Sequence, residues 1–245
     1  EATIEEVLTR LAALRIDGAE TEIVVVNDGS TDRTAERIEG FLFPPGVRKR
    51  IYHAPINFGK GAGVRVGMAL ASGDVIAIQD ADLELDPADL PQLIAPVVRG
   101  EAEVMFGSRF LNGFNQGIPR KTRLANWFLA AATNLLFGGG LTDMETAYKV
   151  FSRRVRDRLR LRCVEFDIEP EITAKMLRLG CRIQELPIRY RPRTAAQGKT
   201  IGLWDGIDAL WTLWRIRWLQ LSKCEMRVTG AHTAAHAALR PQAGT

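Results

Sequence analysis

Cysteine is scarce in this 245-residue chain: Cys163, Cys181 and Cys224 are the only three. They are scattered, odd in number and form no CxxC pair. That excludes a cysteine-rich zinc site and a disulfide framework, and it fits a reducing, cytoplasmic setting. Histidine is as rare, with three residues. His232 and His236 stand four apart, a spacing that suits a metal pair on a helix. They fall, however, in an Ala-rich tail over 223–245 that shows no periodicity and is expected to be disordered. A clean membrane-spanning run is also lacking. The richest candidate, Ile201 to Leu219, is interrupted by Asp205, Asp208, Arg215 and Arg217, which are costly at a bilayer centre. Charge of one sign is not in excess: 33 basic against 29 acidic residues give +4. No nucleic-acid partner is expected, because the Arg-rich stretch between Lys149 and Arg193 is not interleaved with aromatics.

What the chain does have is an ordinary globular composition, 46% hydrophobic and 25% charged, and a repeated strand–helix alternation. Helical spacing of Ile4, Val7, Leu8, Leu11 and Leu14 is followed by an apolar strand, Glu22 to Asn27. The turn from Asp28 to Asp32 starts a helix to about Phe41. A strand over Val47–Tyr52, a helix ending near Leu70, a strand from Val75, a helix over Ala88–Arg99 and a strand over Ala102–Gly107 complete the first half. The pattern predicts a doubly wound, mostly parallel α/β sheet, with ligands beyond the carboxyl ends of the strands. Arginine crowds the second half, so one end of the molecule is expected to meet anions.

The stretch from Val75 to Pro87 carries the strongest chemical signal. An apolar run reads as a central strand and ends in Asp80, Asp82, Glu84 and Asp86. Carboxylates at alternate positions past a strand end can converge on a hard cation, Mg²⁺ or Mn²⁺. The alternative is a solvated acidic loop that caps the following helix. Asp28 also follows a strand end, which places both acidic turns in one crevice. The Gly59-Lys60-Gly61 turn lacks the Ser or Thr of a P-loop and misses the dinucleotide fingerprint by one residue. Its glycines suit tight turning and close helix packing. Asp143 or Glu145 could serve as a general base if the acceptor were a hydroxyl; Asp143 could equally pair with nearby arginines. Four of the five tryptophans lie between Ile201 and Leu219. That amphipathic helix, placed at 201–222, suits a membrane interface. It suits packing on the domain or on a second subunit, and hence a homo-oligomer, equally well.

Five ordered motifs now stand out: Val-Val-Asn27-Asp28-Gly-Ser, Gln79-Asp80-Ala81-Asp82-Leu-Glu84, Gly107-Ser-Arg109-Phe, Thr142-Asp143-Met-Glu145-Thr and Glu169-Pro-Glu171-Ile-Thr-Ala-Lys. Together they resemble family 2 glycosyltransferases, in the branch of dolichyl- and polyprenyl-phosphate mannosyl- and glucosyltransferases. The likeness covers about residues 1–220. It implies a GT-A fold over 1–200, with a nucleotide-sugar-binding half (1–108) and an acceptor half (109–200). It also implies a nucleotide-diphosphate-sugar donor, inversion at the anomeric carbon, a Mg²⁺ or Mn²⁺ ion and a lipid phosphate acceptor at the cytoplasmic face of a membrane.

By the same resemblance, Asp28 contacts the donor base, and Glu1, Asn57, Lys60, Asp80, Ala81 and Asp82 complete the donor set. Asp80 and Asp82 meet the metal, and Glu84 stands where a second ligand lies. Arg109 and Arg123 match basic positions near the acceptor phosphate; Arg193 and Lys199 match a basic loop that closes over both phosphates. One departure is plain. The family begins with a strand ending in Pro-x-Tyr-Asn-Glu, of which only Glu1 is present, so a first parallel strand is expected to be missing from this chain. Two other readings stay open: a non-catalytic nucleotide-sugar-binding domain and a sugar nucleotidyltransferase. The second would need a Gly-rich loop near the first strand, where the Gly59 turn is poorly placed.

Overall fold

The computed structural model describes residues 1–111, 115, 117–192 and 203–218. Arg193, Lys199, the two tail histidines and the tail itself lie outside them. Helix α1 (Ile4–Ala13) buries Ile4, Val7 and Leu8. Strand β1 (Thr21–Asn27) alternates, burying Ile23, Val25 and Asn27. It pairs in parallel with β2 (Val47–His53), Thr21 opposite Val47. The crossover runs through α2 (Thr34–Gly40). A parallel pair cannot be joined by a tight turn, so the intervening helix is obligatory.

Helix α3 (Lys60–Leu70) then leads to a four-stranded mixed sheet: β3 (Val75–Ala77), β4 (Val104–Ser108), β5 (Lys149–Ser152) and β6 (Ile183–Pro187), in the order β3-β5-β4-β6. β4 runs parallel to β6, while β5 runs antiparallel to both β3 and β4. The described strands thus form two sheets, not one continuous sheet, and two of their four pairings are antiparallel. The centre also differs from expectation. β3 has three residues and ends the strand order; β5 and β4 are the interior strands, paired on both sides, and β4 is buried at all five positions. β3 stops early because the chain after Ala77 peels away into the acidic turn, keeping one bond, from Ile78 N–H to the Lys149 carbonyl (3.2 Å). The two sheets are joined at one end by the Glu22 carboxylate. It accepts Ser72 N–H at 2.7 Å and Gly73 N–H at 3.2 Å, just before β3.

A short 3-10 turn (Pro87–Asp89) and α4 (Leu90–Val98) cover one face, with Leu93 fully buried over Val97 and Met105. The other face carries Phe106, Phe151, Ile168, Ile172 and Met176. Each such side chain contributes about 1.5–3 kcal/mol when removed from water. A third layer holds α5 (Arg120–Phe137), α7 (Ile168–Arg178) and α8 (Leu203–Trp218). α8 buries Ala209, Leu213 and Ile216 against Leu129, Met144 and Ala174. It leaves Trp211, Trp214 and Trp218 exposed. Packing on the domain therefore accounts for one face of this helix and not for its tryptophans.

The arginine crowding has a structural component that composition did not reveal. In and beside α6 (Arg153–Arg158), Arg153 donates to the Gly73 carbonyl (3.2 Å), Arg156 to that of Ala71 (2.6 Å) and Arg158 to that of Leu179 (3.0 Å). These guanidiniums tie down chain ends around the sheet and are not an open anion-binding surface.

Candidate functional site

The acidic turn is built where β3 ends. Tyr148 donates to Gln79 Oε1 (2.5 Å), and Gln79 Nε2 donates to the Asp80 carbonyl (2.7 Å), fixing the exit of the strand. Leu83 then adopts φ 58, the one non-glycine left-handed conformation among the described residues. Such a conformation costs about 1–2 kcal/mol and persists only where surroundings enforce it. Here they do. Asp82 Oδ1 accepts Glu84 N–H at 3.0 Å, and Asp86 Oδ1 accepts Ala88 N–H at 3.1 Å. Leu85 bridges Tyr190, and Arg191 N–H donates to the Glu84 carbonyl at 2.8 Å. From the other side, Thr3 Oγ1 donates to the Ala81 carbonyl (2.5 Å).

Beside this turn opens a cavity of about 820 Å³, lined by Glu1, Thr3, Ala81, Asp82, Glu84, Arg189 and Arg191 among others. Acids and arginines both line it. Arg189 is braced by a fork onto Asp89 (2.8 and 3.0 Å) and by Asp86 (3.2 Å), while Arg191 is exposed.

Among the described residues no three carboxylates, histidines or cysteines group into a ready metal cage. Asp80, Asp82 and Glu84 do not converge as a trio, which corrects the expectation that Glu84 joins them in one shell. The reason lies in the backbone: Asp82 curls onto the Glu84 N–H, and the Glu84 carbonyl is held by Arg191. A Mg²⁺-type ion still fits the donor set. It keeps one or two carboxylates and takes its remaining oxygens from water and substrate phosphates, and Asp82 lies on the cavity wall. Asp80 is further committed: its Oδ2 receives Lys60 Nζ at 2.7 Å. Burial alone would lower the Lys60 pKa, but Glu169 and Asp80 hold it above the ordinary value.

The other donor-side residues are placed as follows. Asp28 accepts Phe58 N–H (2.9 Å) and Gly59 N–H (2.8 Å), and Asn57 Oδ1 also accepts Gly59 N–H (3.0 Å). Both therefore shape the Gly59 turn, and neither lines the cavity. Gly59 has φ 97, and a Cβ there would sit 2.4 Å from the Val164 carbonyl oxygen. Glycine is required for backbone approach, which agrees with the packing role expected of this turn. Glu1 lines the cavity, but its carboxylate pairs with Arg37 (3.2 Å).

The second acid-bearing turn is closed. Asp143, 0% exposed, receives Arg109 Nε at 2.7 Å and Nη2 at 2.8 Å, plus the Arg109 N–H at 3.0 Å. Burial opposes the Arg109 charge, yet Asp143 keeps its pKa above the ordinary value. The guanidinium also lies over the rings of Phe110 and Tyr190. Glu185 supports the turn, accepting the N–H groups of Thr142 (2.8 Å) and Asp143 (3.0 Å). Arg123 donates to the carbonyls of Asn115 (2.5 Å) and Ile118 (3.4 Å). As placed, neither Arg109 nor Arg123 offers a free fork to an acceptor phosphate, and Asp143 is an ion-pair partner, not an available base. Glu145 differs. Its Oε1 is buried without a hydrogen bond. Burial first, and the charge of Glu169 second, push its carboxyl up to about 7, against the opposing pull of Lys149 and Arg109.

Glu169 was marked only as part of a motif, and Lys149, Arg189 and Arg191 only as part of the basic stretch; none was given a role at these turns. The alternation Ile188-Arg-Tyr-Arg-Pro was a usable signal for Arg189 and Arg191, since it points both arginines to one face of an extended segment. Nothing local marked Lys149 or Glu169 as partners.

The glycosyl transferase family 2 domain matches residues 1–160, about two thirds of the chain. The chain belongs to this family. It is 27% identical to an undecaprenyl-phosphate mannosyltransferase of Micrococcus luteus, over 81% of this chain and 84% of that protein. It is 30% identical to a low-salt glycan biosynthesis hexosyltransferase of Haloferax volcanii, over 78% of this chain and 44% of that protein. The chain spans 28% to 44% of the length of the first curated relatives it matches. Among solved structures, glucosyl-3-phosphoglycerate synthase of Mycobacterium tuberculosis, in complex with Mn²⁺, UDP-glucose and phosphoglyceric acid, superposes with a TM-score of 0.65 at 24% identity. The match covers 91% of this chain and 77% of that one. The fold is therefore the GT-A type that the motifs implied.

Proposed function

We propose that this family 2 member transfers a hexose, with inversion, from a nucleoside-diphosphate sugar to a polyprenyl or dolichyl phosphate at a membrane surface. The observation that carries the reading is the cavity past the end of β3 that Asp82 and Glu84 line together with Arg189 and Arg191. Acids suited to a divalent cation beside guanidiniums suited to phosphate match the needs of a departing diphosphate. A Mg²⁺ or Mn²⁺ ion bound there would supply charge neutralisation on that group. Asp82 would hold the ion, and Arg191 would meet phosphate oxygens. A lipid phosphomonoester, with a second pKa of about 6, is already anionic at neutral pH and needs no strong base.

Two further observations support the lipid acceptor. Relatives named above include an undecaprenyl-phosphate mannosyltransferase. Helices α5 and α8 leave Trp127, Phe128, Trp211, Trp214 and Trp218 exposed, with Arg120 and Lys121 opening α5 and Arg217 over the Trp218 ring. Tryptophan with arginine suits the interface of an anionic bilayer. No helix among the described residues is long and apolar enough to cross a membrane.

A second reading, transfer to a saccharide hydroxyl, is favoured by Glu145, because a carboxyl poised at about 7 is what a general base requires. The deciding assay supplies GDP-mannose or UDP-glucose with Mn²⁺ and either undecaprenyl phosphate or soluble sugars. Transfer to the lipid phosphate that Asp82→Ala abolishes is the expected result. Saturating transfer to soluble sugars alone would select the second reading. Equal donor turnover by wild type and Asp82→Ala would make the domain a non-catalytic binder.

A further inference from the structure

Glu169, the second residue of α7, is 6% exposed and divides its carboxylate between two ammonium groups. Oε1 receives Lys60 Nζ at 2.9 Å, and Oε2 receives Lys149 Nζ. Lys60 continues to Asp80 Oδ2 at 2.7 Å. Lys149, 0% exposed, donates to the carbonyls of Met144 (3.3 Å) and Thr146, the residues on either side of Glu145. One carboxylate thus reaches, through one lysine each, the acid that opens the donor turn and the backbone that carries the acceptor-side acid.

We propose that Glu169 is a positioning residue that couples the two turns, holding Asp80 available to a divalent cation through Lys60 and fixing the Glu145 backbone through Lys149. The inference rests on the transferase reading. A buried ion chain is a poor device for stability alone, since apolar residues of similar volume serve as well or better. It does impose geometry. Without Glu169, the Lys60 ammonium would pair with Asp80 alone and compete with any cation there. Shared between two carboxylates, it leaves part of the Asp80 charge unclaimed. On the other side, the charged groups facing Glu145 are Glu169, Lys149, Arg109 and Asp143. Removing the first leaves Lys149 free to act on Glu145.

The test is Glu169→Gln in the full chain. Mn²⁺ affinity, read by electron paramagnetic resonance without donor, falls about 10- to 100-fold, the usual loss for a partner that orients a ligand. The Glu145 carboxyl is followed by carbon-13 NMR and assigned with Glu145→Gln. Its titration moves from about 7 to lower pH. A purely structural Glu169 would lower the melting temperature and move neither readout. Should the single variant fail to fold, Glu169→Gln/Lys149→Met restores the charge balance, and the Mn²⁺ measurement is made on it. Either readout at its wild-type value overturns the coupling. Wild-type protein that binds neither Mn²⁺ nor nucleoside diphosphate overturns the transferase reading itself. Wild type that binds while the variant matches it overturns only the role of Glu169.

Discussion

Asp82 and Asp143 each stand two residues before a second acid, Glu84 and Glu145, yet their surroundings are opposite. Asp82 lies on the wall of a cavity of about 820 Å³. Asp143 is 0% exposed and held by the whole fork of Arg109. Identical side chains therefore sit differently: one lines a cavity and accepts the Glu84 N–H, the other locks the mouth of β4 to the turn before β5. The same opposition runs through their neighbours. Glu84 lines the cavity, whereas Glu145 is desolvated and its pKa raised. Burial, not residue type, separates an acid on a cavity wall from one sealed in an ion pair, because a desolvated carboxylate must find a partner or a proton.

Breaking the closed turn gives the largest effect. Asp143→Ala leaves the Arg109 guanidinium buried without its partner, and a loss of about 3–5 kcal/mol in urea unfolding is expected. An unchanged midpoint would show that the pair is not held as described. Glu145 sharpens the contrast through pH. Its folded pKa, about 7, lies above its ordinary value of 4.5, so the native state holds a proton that the unfolded chain has released between those limits. Stability is then full below about 4.5 and declines as pH rises to about 7. The decline amounts to about 3 kcal/mol at 1.36 kcal/mol per unit. Glu145→Gln should flatten that slope in unfolding curves measured from pH 5 to 8.

The open turn should respond in function more than in stability. Asp82→Ala is expected to reduce transfer about 100-fold or more, beyond what loss of an outer partner costs, while the lost acceptor of the Glu84 N–H costs about 1 kcal/mol in unfolding, well short of the loss at Asp143. A large destabilisation would move Asp82 into the same class as Asp143. The smallest effect is expected at Asp28→Asn. Its carboxylate accepts two backbone N–H groups of the Gly59 turn, and loss of one acceptor should cost about 1 kcal/mol. A loss of nucleotide affinity far exceeding that would return Asp28 to the donor site.

Much of this was readable before any coordinates. The alternation of Ile23 and Val25 announced β1, the turn after Asn27 announced α2, and the acids after Ile78 announced a strand end with chemistry. The five motifs announced the family. Arg109 and Asp143 each stood in a motif, but their pairing with one another was not readable, since 34 positions separate them. The strand order was equally hidden. Val75 to Ile78 reads as a core strand by hydropathy, but pairing depends on which strand lies beside it, and β5 arrives from more than seventy residues further along (Val75 opposite Ser152). That Lys60, Glu169 and Lys149 join in one ion chain had no local sign, because a charged residue in a helix or strand is ordinarily solvated.

The sequence by itself determined which segments become strands and helices, where the acidic turns fall and what family they belong to. These follow from periodicity and from residue order, both of which are local. Only the tertiary structure decided which acid faces a cavity and which is sealed against an arginine, and that β5 and β4 are the interior strands. Solvation and partner choice depend on chain segments far apart in sequence, and they are set only when those segments pack together.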